Sequence, residues 1–194
     1  MKVSTIIGSL AAMHTAVAAA VPAKLSTRDE YNVPAIDNQN FIDSVVRAHW
    51  YWRRIHCAQD LTWDPALAEL AKKAAEKCTE MPEHDSGGQN LSASGPIPTD
   101  LETWYAEART MVHGWHEEEF KYPYNDPHYD GAWGHFTQMV WRDSSRVGCA
   151  QAACPGKTFP ARFFCNYERA GNNVADGAFA QNVWGPVCPD PAKS

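Results

Sequence analysis

Six cysteines, Cys57, Cys78, Cys149, Cys154, Cys165 and Cys188, constrain this 194-residue chain more than any other feature. Their number is even, and the chain opens on MKVSTIIGSLAAMHTAVAAA: one lysine, an apolar run, then small residues ending Ala18-Ala19-Ala20. That order is the layout of a secretory signal peptide (residues 1–20) cleaved near Ala20, and export carries thiols into an oxidising compartment. Three disulfides are therefore expected, with fifteen pairings open from the count alone. Zinc is the competing use of cysteine. It needs close pairs, yet no Cys-x-x-Cys is present and Cys149/Cys154 lack a second such pair. A membrane-spanning reading of the leader fails on length, and no similar segment follows.

With the leader set aside, enough chain remains for one domain with a sizeable core. Residues 21–36 read as a polar, proline-flanked arm with little to pack, and residues 37–190 as the domain proper. The net charge of −6 comes without a basic run or a basic helix face, so nucleic acid is not an expected partner.

Hydrophobic spacing predicts three main helices. Phe41, Val45, Ala48, Trp52 and Ile55 recur at helical intervals between Asp37 and His56, with Asp37 or Asn38 as cap. In LTWDPALAELAKKAAEKC, Asp64 can accept from free amides and Pro65 has no amide to lose, which suits a helix start. Its buried stripe is read as Leu67, Leu70, Ala71, Ala74 and Cys78. A third helix follows Thr99 or Asp100, marked by Leu101, Trp104, Tyr105, Ala108, Met111, Val112 and Trp115. GGQNLSAS reads as a strand entry, GHFTQMVW as a short helical turn, Val147–Ala150 as a strand, and PARFFCNYER as the strongest strand. Helices interleaved with a few strands that can run antiparallel imply one sheet between helical layers.

HDSGG (84–88) resembles the setting of a serine nucleophile. Trypsin-like enzymes are paired β-barrels with their histidine and aspartate upstream, and this chain has too few strands for that. Ser86 also lacks the strand-to-helix elbow of the other main hydrolase type, so it is read as part of a glycine turn. HGWHEEE begins like a zincin motif, but the second histidine would fall at Phe120. That stretch reads as a solvated, acidic helix end.

GHFTQMVW (134–141), VGCA (147–150) and FFCNYERAGN (163–172) together resemble signature stretches of the CAP superfamily. This group comprises cysteine-rich secretory proteins, antigen 5 proteins and pathogenesis-related proteins of group one. HWYWRRIH (49–56) resembles its His-Asn-x-x-Arg-x-x-His helix, with Trp50 where asparagine is usual. HDSGGQNLS matches its Gly-Glu-Asn-Leu stretch and VHGWHEEEF its tryptophan-to-glutamate stretch. The likeness runs from about Phe41 to Trp184.

The resemblance implies a mixed α+β fold, a disulfide-stabilised three-layer α-β-α sandwich around a mainly antiparallel sheet. It implies a cleft lined by His84, Gln89, Glu118 and His135, where Gln89 replaces the usual glutamate. His84, Glu118 and His135 would make a three-ligand site for a divalent ion such as zinc or magnesium, weakened by the missing second acid. It implies pairing of Cys78 with Cys149 and of Cys154 with Cys165, which leaves Cys57 for Cys188. The loop FKYPYNDPHYDGAW (120–133), with Phe120, Tyr122, Tyr124, Tyr129 and Trp133, corresponds to one linked in secreted members to binding sterols and other hydrophobic small molecules. Burying on the order of 300 Å² of sterol at ~25 cal/mol/Å² gives roughly 7–8 kcal/mol before ordering costs. The same aromatics can also be plain core filler. Asn90-Leu91-Ser92 is a glycosylation sequon in a stretch expected to be buried, hence unused.

Three functions follow as expectations. The first is a secreted, monomeric, non-catalytic carrier of sterol or another lipid, needing no cofactor. The second is a metal- or histidine-dependent hydrolase in the cleft, although every cysteine is committed and no serine is paired with a base. The third is an effector acting on a host protein, or the precursor of a peptide released near CNYERAGNN. A shared fold leaves all three open.

Overall fold

The arm at the start of the chain does pack, contrary to expectation. The computed structural model describes residues 25–191, so the expected leader lies outside the described residues. A short helix α1 (Thr27–Glu30) is capped by Ser26, whose hydroxyl accepts from the Asp29 amide. Beyond it Val33 is buried against Trp104, Ala153 and Ala161, and the Tyr31 carbonyl accepts from the Trp104 indole at 2.9 Å. Trp104 is fully buried and needs both apolar cover and an acceptor for its N–H; the arm supplies both.

Capping chemistry sets the three main helices. Asn38 accepts from the Phe41 amide at 3.0 Å and opens α2 (Gln39–Ile55). After a two-residue strand β1 (Thr62–Trp63), Asp64 accepts from the Ala66 and Leu67 amides and opens α3 (Pro65–Ala75). Strand β2 (Gln89–Ser94) precedes α4 (Leu101–Glu117), where Asp100 accepts from the Thr103 amide at 2.9 Å. A 3-10 turn (Glu118–Lys121) continues from α4 and is followed by a loop and α5 (Gly134–Val140). Strands β3 (Arg146–Ala153) and β4 (Ala161–Glu168) and a short α6 (Ala178–Asn182) complete the described chain.

The sheet runs β1-β3-β4-β2, with β1 parallel to β3 and the other pairings antiparallel. On one face Val147, Cys149, Phe163, Cys165 and Tyr167 join Phe41, Val45, Tyr105, Val112, Trp115 and Phe136 of α2, α4 and α5 in the main core. On the other, Ala150, Ala152 and Phe164 meet Ala71, Ala74 and Ala75 of α3. The result is the expected α-β-α sandwich. The buried stripe of α3 is Ala68, Ala71, Ala74 and Ala75, whereas Leu70 is 50% exposed, a correction to the expected one. Close approach explains it: a Cβ on Gly148 would collide with the Ala68 amide nitrogen and the Asp64 carbonyl. A helix this near the strands has room for alanine methyls and none for leucine.

Two expected disulfides are also corrected. The bonds are Cys57–Cys188, as expected, then Cys78–Cys154 and Cys149–Cys165. Cys149 lies directly opposite Cys165 in the β3–β4 register, with a Cα separation of 4.1 Å on the main-core face. Cys78 follows α3 on the other face and meets Cys154 just past the end of β3. Side chains alternate along a strand, so the odd spacing between Cys149 and Cys154 turns them to opposite faces. Cys78 is across the sheet from Cys149.

The inward face of α2 continues past Val45 with polar residues. His49 is fully buried between the Val45 carbonyl at 2.8 Å and the Tyr167 hydroxyl at 2.8 Å. Arg53, also fully buried, donates to the carbonyls of Gln59, Met139, Trp141 and Ser144 at 2.8–2.9 Å. Burial pushes the His49 imidazole down to about 4; the Val45 carbonyl opposes this and Arg53 reinforces it. An unfolded His49 takes up its proton near pH 6.5, so its neutral form contributes stability that is whole above 6.5 and lost as pH falls toward 4. The shift is worth roughly 3 kcal/mol. Urea midpoints should therefore drop between pH 6.5 and 4, and His49→Gln should flatten that drop; an unchanged slope would refute the assignment.

Candidate functional site

Three chain segments meet at one edge of the main core. The loop before β2 brings His84, the 3-10 turn brings Glu118, and the first turn of α5 brings His135. The His84 and His135 rings lie 5.8 Å apart between centroids, with planes inclined at 34°. Glu118 holds His135 from both sides: Oε1 accepts from Nδ1 at 2.8 Å, and Oε2 accepts from the His135 and Phe136 amides at 3.0 and 3.2 Å. Trp115 stacks beside the ring at 6.0 Å. With its proton at Nδ1, His135 presents a lone pair at Nε2, and that buried nitrogen has no partner among the described residues.

The donor set fits a divalent ion in part. His135 Nε2 is oriented as metal-bound imidazoles are, its other nitrogen tied to a carboxylate. Glu118 is that carboxylate; both its oxygens take N–H groups, which makes it a positioning residue and not a third ligand beside the histidines. Burial and the facing His135 lower the His84 pKa, while a hydrogen bond to Gln89 and the charge of Asp85 oppose. Gln89 is turned to its neighbours. Its amide donates to Asp85 at 2.9 Å and to Asn166 at 3.1 Å, and its oxygen accepts from the Asp85 amide at 3.2 Å. A glutamate could make neither donation and would face Asp85 as a second carboxylate.

Ser86 accepts from the Asn166 side chain at 2.9 Å, so its hydroxyl is bonded to an amide and not to a base. Gly88, at φ +67°, sustains the turn, since a Cβ there would sit 2.7 Å from the Ala170 Cβ. Asn90 points inward and donates to the His135 carbonyl at 2.9 Å, so in the folded protein the nitrogen a glycan would use is buried.

The aromatic loop divides. Tyr122 is buried, packing against Phe136 at 5.7 Å, Trp133 at 6.2 Å and Tyr124 at 4.9 Å, and burial pushes its phenol up to about 12. Its hydroxyl has no partner among the described residues. Phe120 is 92% exposed, Tyr129 49% and Tyr124 39%. Tyr122 and Trp133 thus act as filler, and the outer three rings stand toward solvent. A hollow of about 980 Å³ opens elsewhere, between the end of α2 and the C-terminal tail, lined by Trp50, Arg54, Arg142 and Asn182. It holds none of the expected site residues.

HGWHEEE is not the solvated helix end expected of it. His116 is buried, stacked 3.7 Å from Trp52, and burial together with His56 and His113 pushes its imidazole down to about 3. Its Nε2 lies 2.9 Å from Nε2 of the buried His56 and 3.3 Å from Oε2 of Glu119. This cluster escaped the sequence reading because its members are far apart in the chain. The available signal was the spacing of His49, Arg53 and His56, which carries the inward stripe of α2 on through polar residues.

A sandwich of this topology with a histidine–carboxylate cleft defines a structural class, and comparison with known proteins identifies it. Residues 46–167 match the cysteine-rich secretory protein (CAP) family, and the chain belongs to that family. It is 33% identical over 145 residues to protein PRY2 of Saccharomyces cerevisiae, covering 74% of this chain and 41% of that protein. It is 29% identical over 162 residues to the secreted protein RBT4 of Candida albicans, covering 79% of this chain and 42% of that one. The chain therefore spans about two fifths of the length of these two relatives. Among solved structures, the hookworm platelet inhibitor superposes with a TM-score of 0.61 at 20% identity over 79% of this chain and 81% of that one, a likeness of fold.

The orienting role of Glu118 is open to test. Glu118→Gln keeps one oxygen for the His135 and Phe136 amides but turns an N–H₂ toward His135 Nδ1, which should cost about 1–2 kcal/mol. A lower urea midpoint and loss of the Nδ1–H tautomer of His135 in proton–nitrogen correlation spectra are expected. A variant unchanged in both would show that another group holds the ring.

Proposed function

We propose that this chain is an extracellular, non-catalytic binding protein that takes a sterol or similarly rigid hydrophobic molecule on its outer aromatic loop. The observation that carries the reading is Phe120, 92% exposed on a loop stiffened by Pro123 and Pro127, with Tyr129 and Tyr124 half exposed nearby in sequence. Covering Phe120 and the outer parts of the two tyrosines would contribute roughly 3–5 kcal/mol. The Tyr129 hydroxyl offers a polar contact to a single alcohol group, while that of Tyr124 already donates to Glu119. The three disulfides, the expected leader and the secreted relative RBT4 support an extracellular location.

Phe120→Ser tests the proposal with little risk to the fold, because the ring is almost wholly outside the core. Purified protein should bind a fluorescent sterol, and the variant should bind at least about tenfold more weakly, as expected for loss of ~1.4 kcal/mol or more. No sterol binding by the wild type, or equal binding by Phe120→Ser combined with Tyr129→Ser, would overturn it.

A second reading, metal-assisted hydrolysis in the cleft, is favoured by one observation: the unpartnered Nε2 of His135. A divalent ion there would be held by His84 and His135, with Glu118 orienting the latter, and would supply an acidified water. Zinc-supplemented ester and peptide screens should then give turnover that His135→Gln abolishes. A wild type inert to both screens removes this reading.

A further inference from the structure

We propose that His56, His116 and Glu119 form a second divalent-metal site of zinc type, separate from the His84/His135 cleft. Three facing atoms define it: Nε2 of His56, Nε2 of His116 and Oε2 of Glu119, separated by 2.9, 3.3 and 3.8 Å. A tetrahedral ion with bonds of about 2.0–2.1 Å spaces its ligand atoms roughly 3.3–3.4 Å apart. The three separations straddle that spacing, and the circle through the atoms has a radius of about 2 Å, so an ion slightly out of their plane reaches all three. Two imidazoles and one carboxylate suit zinc better than calcium or magnesium, which prefer all-oxygen surroundings.

The partners behind the ligands point the same way. His56 Nδ1 lies 2.7 Å from the Trp184 carbonyl, which accepts only, so Nδ1 carries the proton and Nε2 a lone pair. Glu119 Oε1 accepts from the Tyr124 hydroxyl at 2.8 Å, which leaves Oε2 for the ion. In the metal-free protein the proton shared at 2.9 Å must sit on His116 Nε2. Its transfer to Nδ1 frees the third lone pair and keeps the imidazole neutral. Trp52, stacked on His116, and Phe136, edge-on to both rings, wall the site with apolar surface. Three protein ligands leave a fourth position for water. The ion would join the end of α2, the last turn of α4 and the 3-10 turn.

Cobalt(II) distinguishes the two sites, because tetrahedral cobalt absorbs strongly in the visible. Metal-stripped protein should bind one equivalent with such a band and release it to zinc, and zinc should raise the melting temperature. The band should persist in His84→Ala/His135→Ala and vanish in His116→Phe, which keeps a ring against Trp52. Should His116→Phe fail to fold, Glu119→Gln, which preserves an acceptor for Tyr124, should weaken zinc binding at least tenfold. A band lost with the cleft histidines but kept in His116→Phe, no tetrahedral band in the wild type, or full affinity in Glu119→Gln would each overturn the proposal.

Discussion

The carboxylate of Glu118 is the contact on which the cleft depends. It accepts from two backbone amides at the start of α5 and from the His135 ring, so one side chain fixes both the position of that short helix and the direction of its imidazole. Free amides at a helix start need acceptors, and α5 has no side-chain cap of its own. Asn90 and Asn172 donate to the His135 and Gly134 carbonyls at the same place, but the two amides and the ring N–H rely on the carboxylate. The next residue, Glu119, points to the other side of the same turn and meets His116 and His56. Two histidine–carboxylate groups therefore stand back to back on one 3-10 turn, and whatever fixes one limits the freedom of the other.

Buried polar groups on α2 hold the far end of α5 and strand β4. Arg53 is charged and out of water, a costly arrangement unless its donors are all used. Burial lowers its pKa to about 10, so it remains a cation at neutral pH. Four backbone carbonyls receive it, three of them just after or at the end of α5. His49 reaches Tyr167 on β4 in the same manner, and the Tyr167 hydroxyl also accepts weakly from Asn90 at 3.5 Å. The inward stripe of α2 thus begins as grease at Phe41 and Val45 and ends as a set of hydrogen-bonding pegs. Those pegs bind α2 to β4 and to the chain leaving α5, which apolar packing alone would leave free to slide.

Much of this was legible from the residues. Asn38, Asp64 and Asp100 each cap a helix, as side chains that can accept from free amides do, and the aromatic run before Gly171 forms β4. Cleft membership rested on resemblance, since no local rule brings His84 near His135. What escaped the reading has physical causes. Helical spacing places Leu70 in the stripe with Leu67 and Ala74, but the approach of α3 to Gly148 turns the alanine face inward. Alternation puts Cys149 and Cys154 on opposite faces but does not say which faces α3; that is set by the β3–β4 register, which puts Cys149 opposite Cys165. His116 was assigned to solvent because its flanking glutamates are charged, and a helix face can bury a histidine beside exposed acids.

Gln89 shows how one local contact can redirect a site. In this chain Asp85 sits four residues before it and receives a hydrogen bond that only an amide can donate. A glutamate at position 89 would set two carboxylates against each other, so the amide is the residue that Asp85 permits. The consequence reaches the cleft. With Gln89 neutral and Glu118 committed to His135, negative charge reaches the pair from Glu118 through the His135 ring and from Asp85 beside His84. Hydrolysis needs a group that can take a proton from water and another that steadies the developing charge. A lone imidazole lone pair beside a rim histidine meets the first need better than the second. The amide at position 89 thus ties the loop that carries His84 to strand β4, through Asp85 on one side and Asn166 on the other.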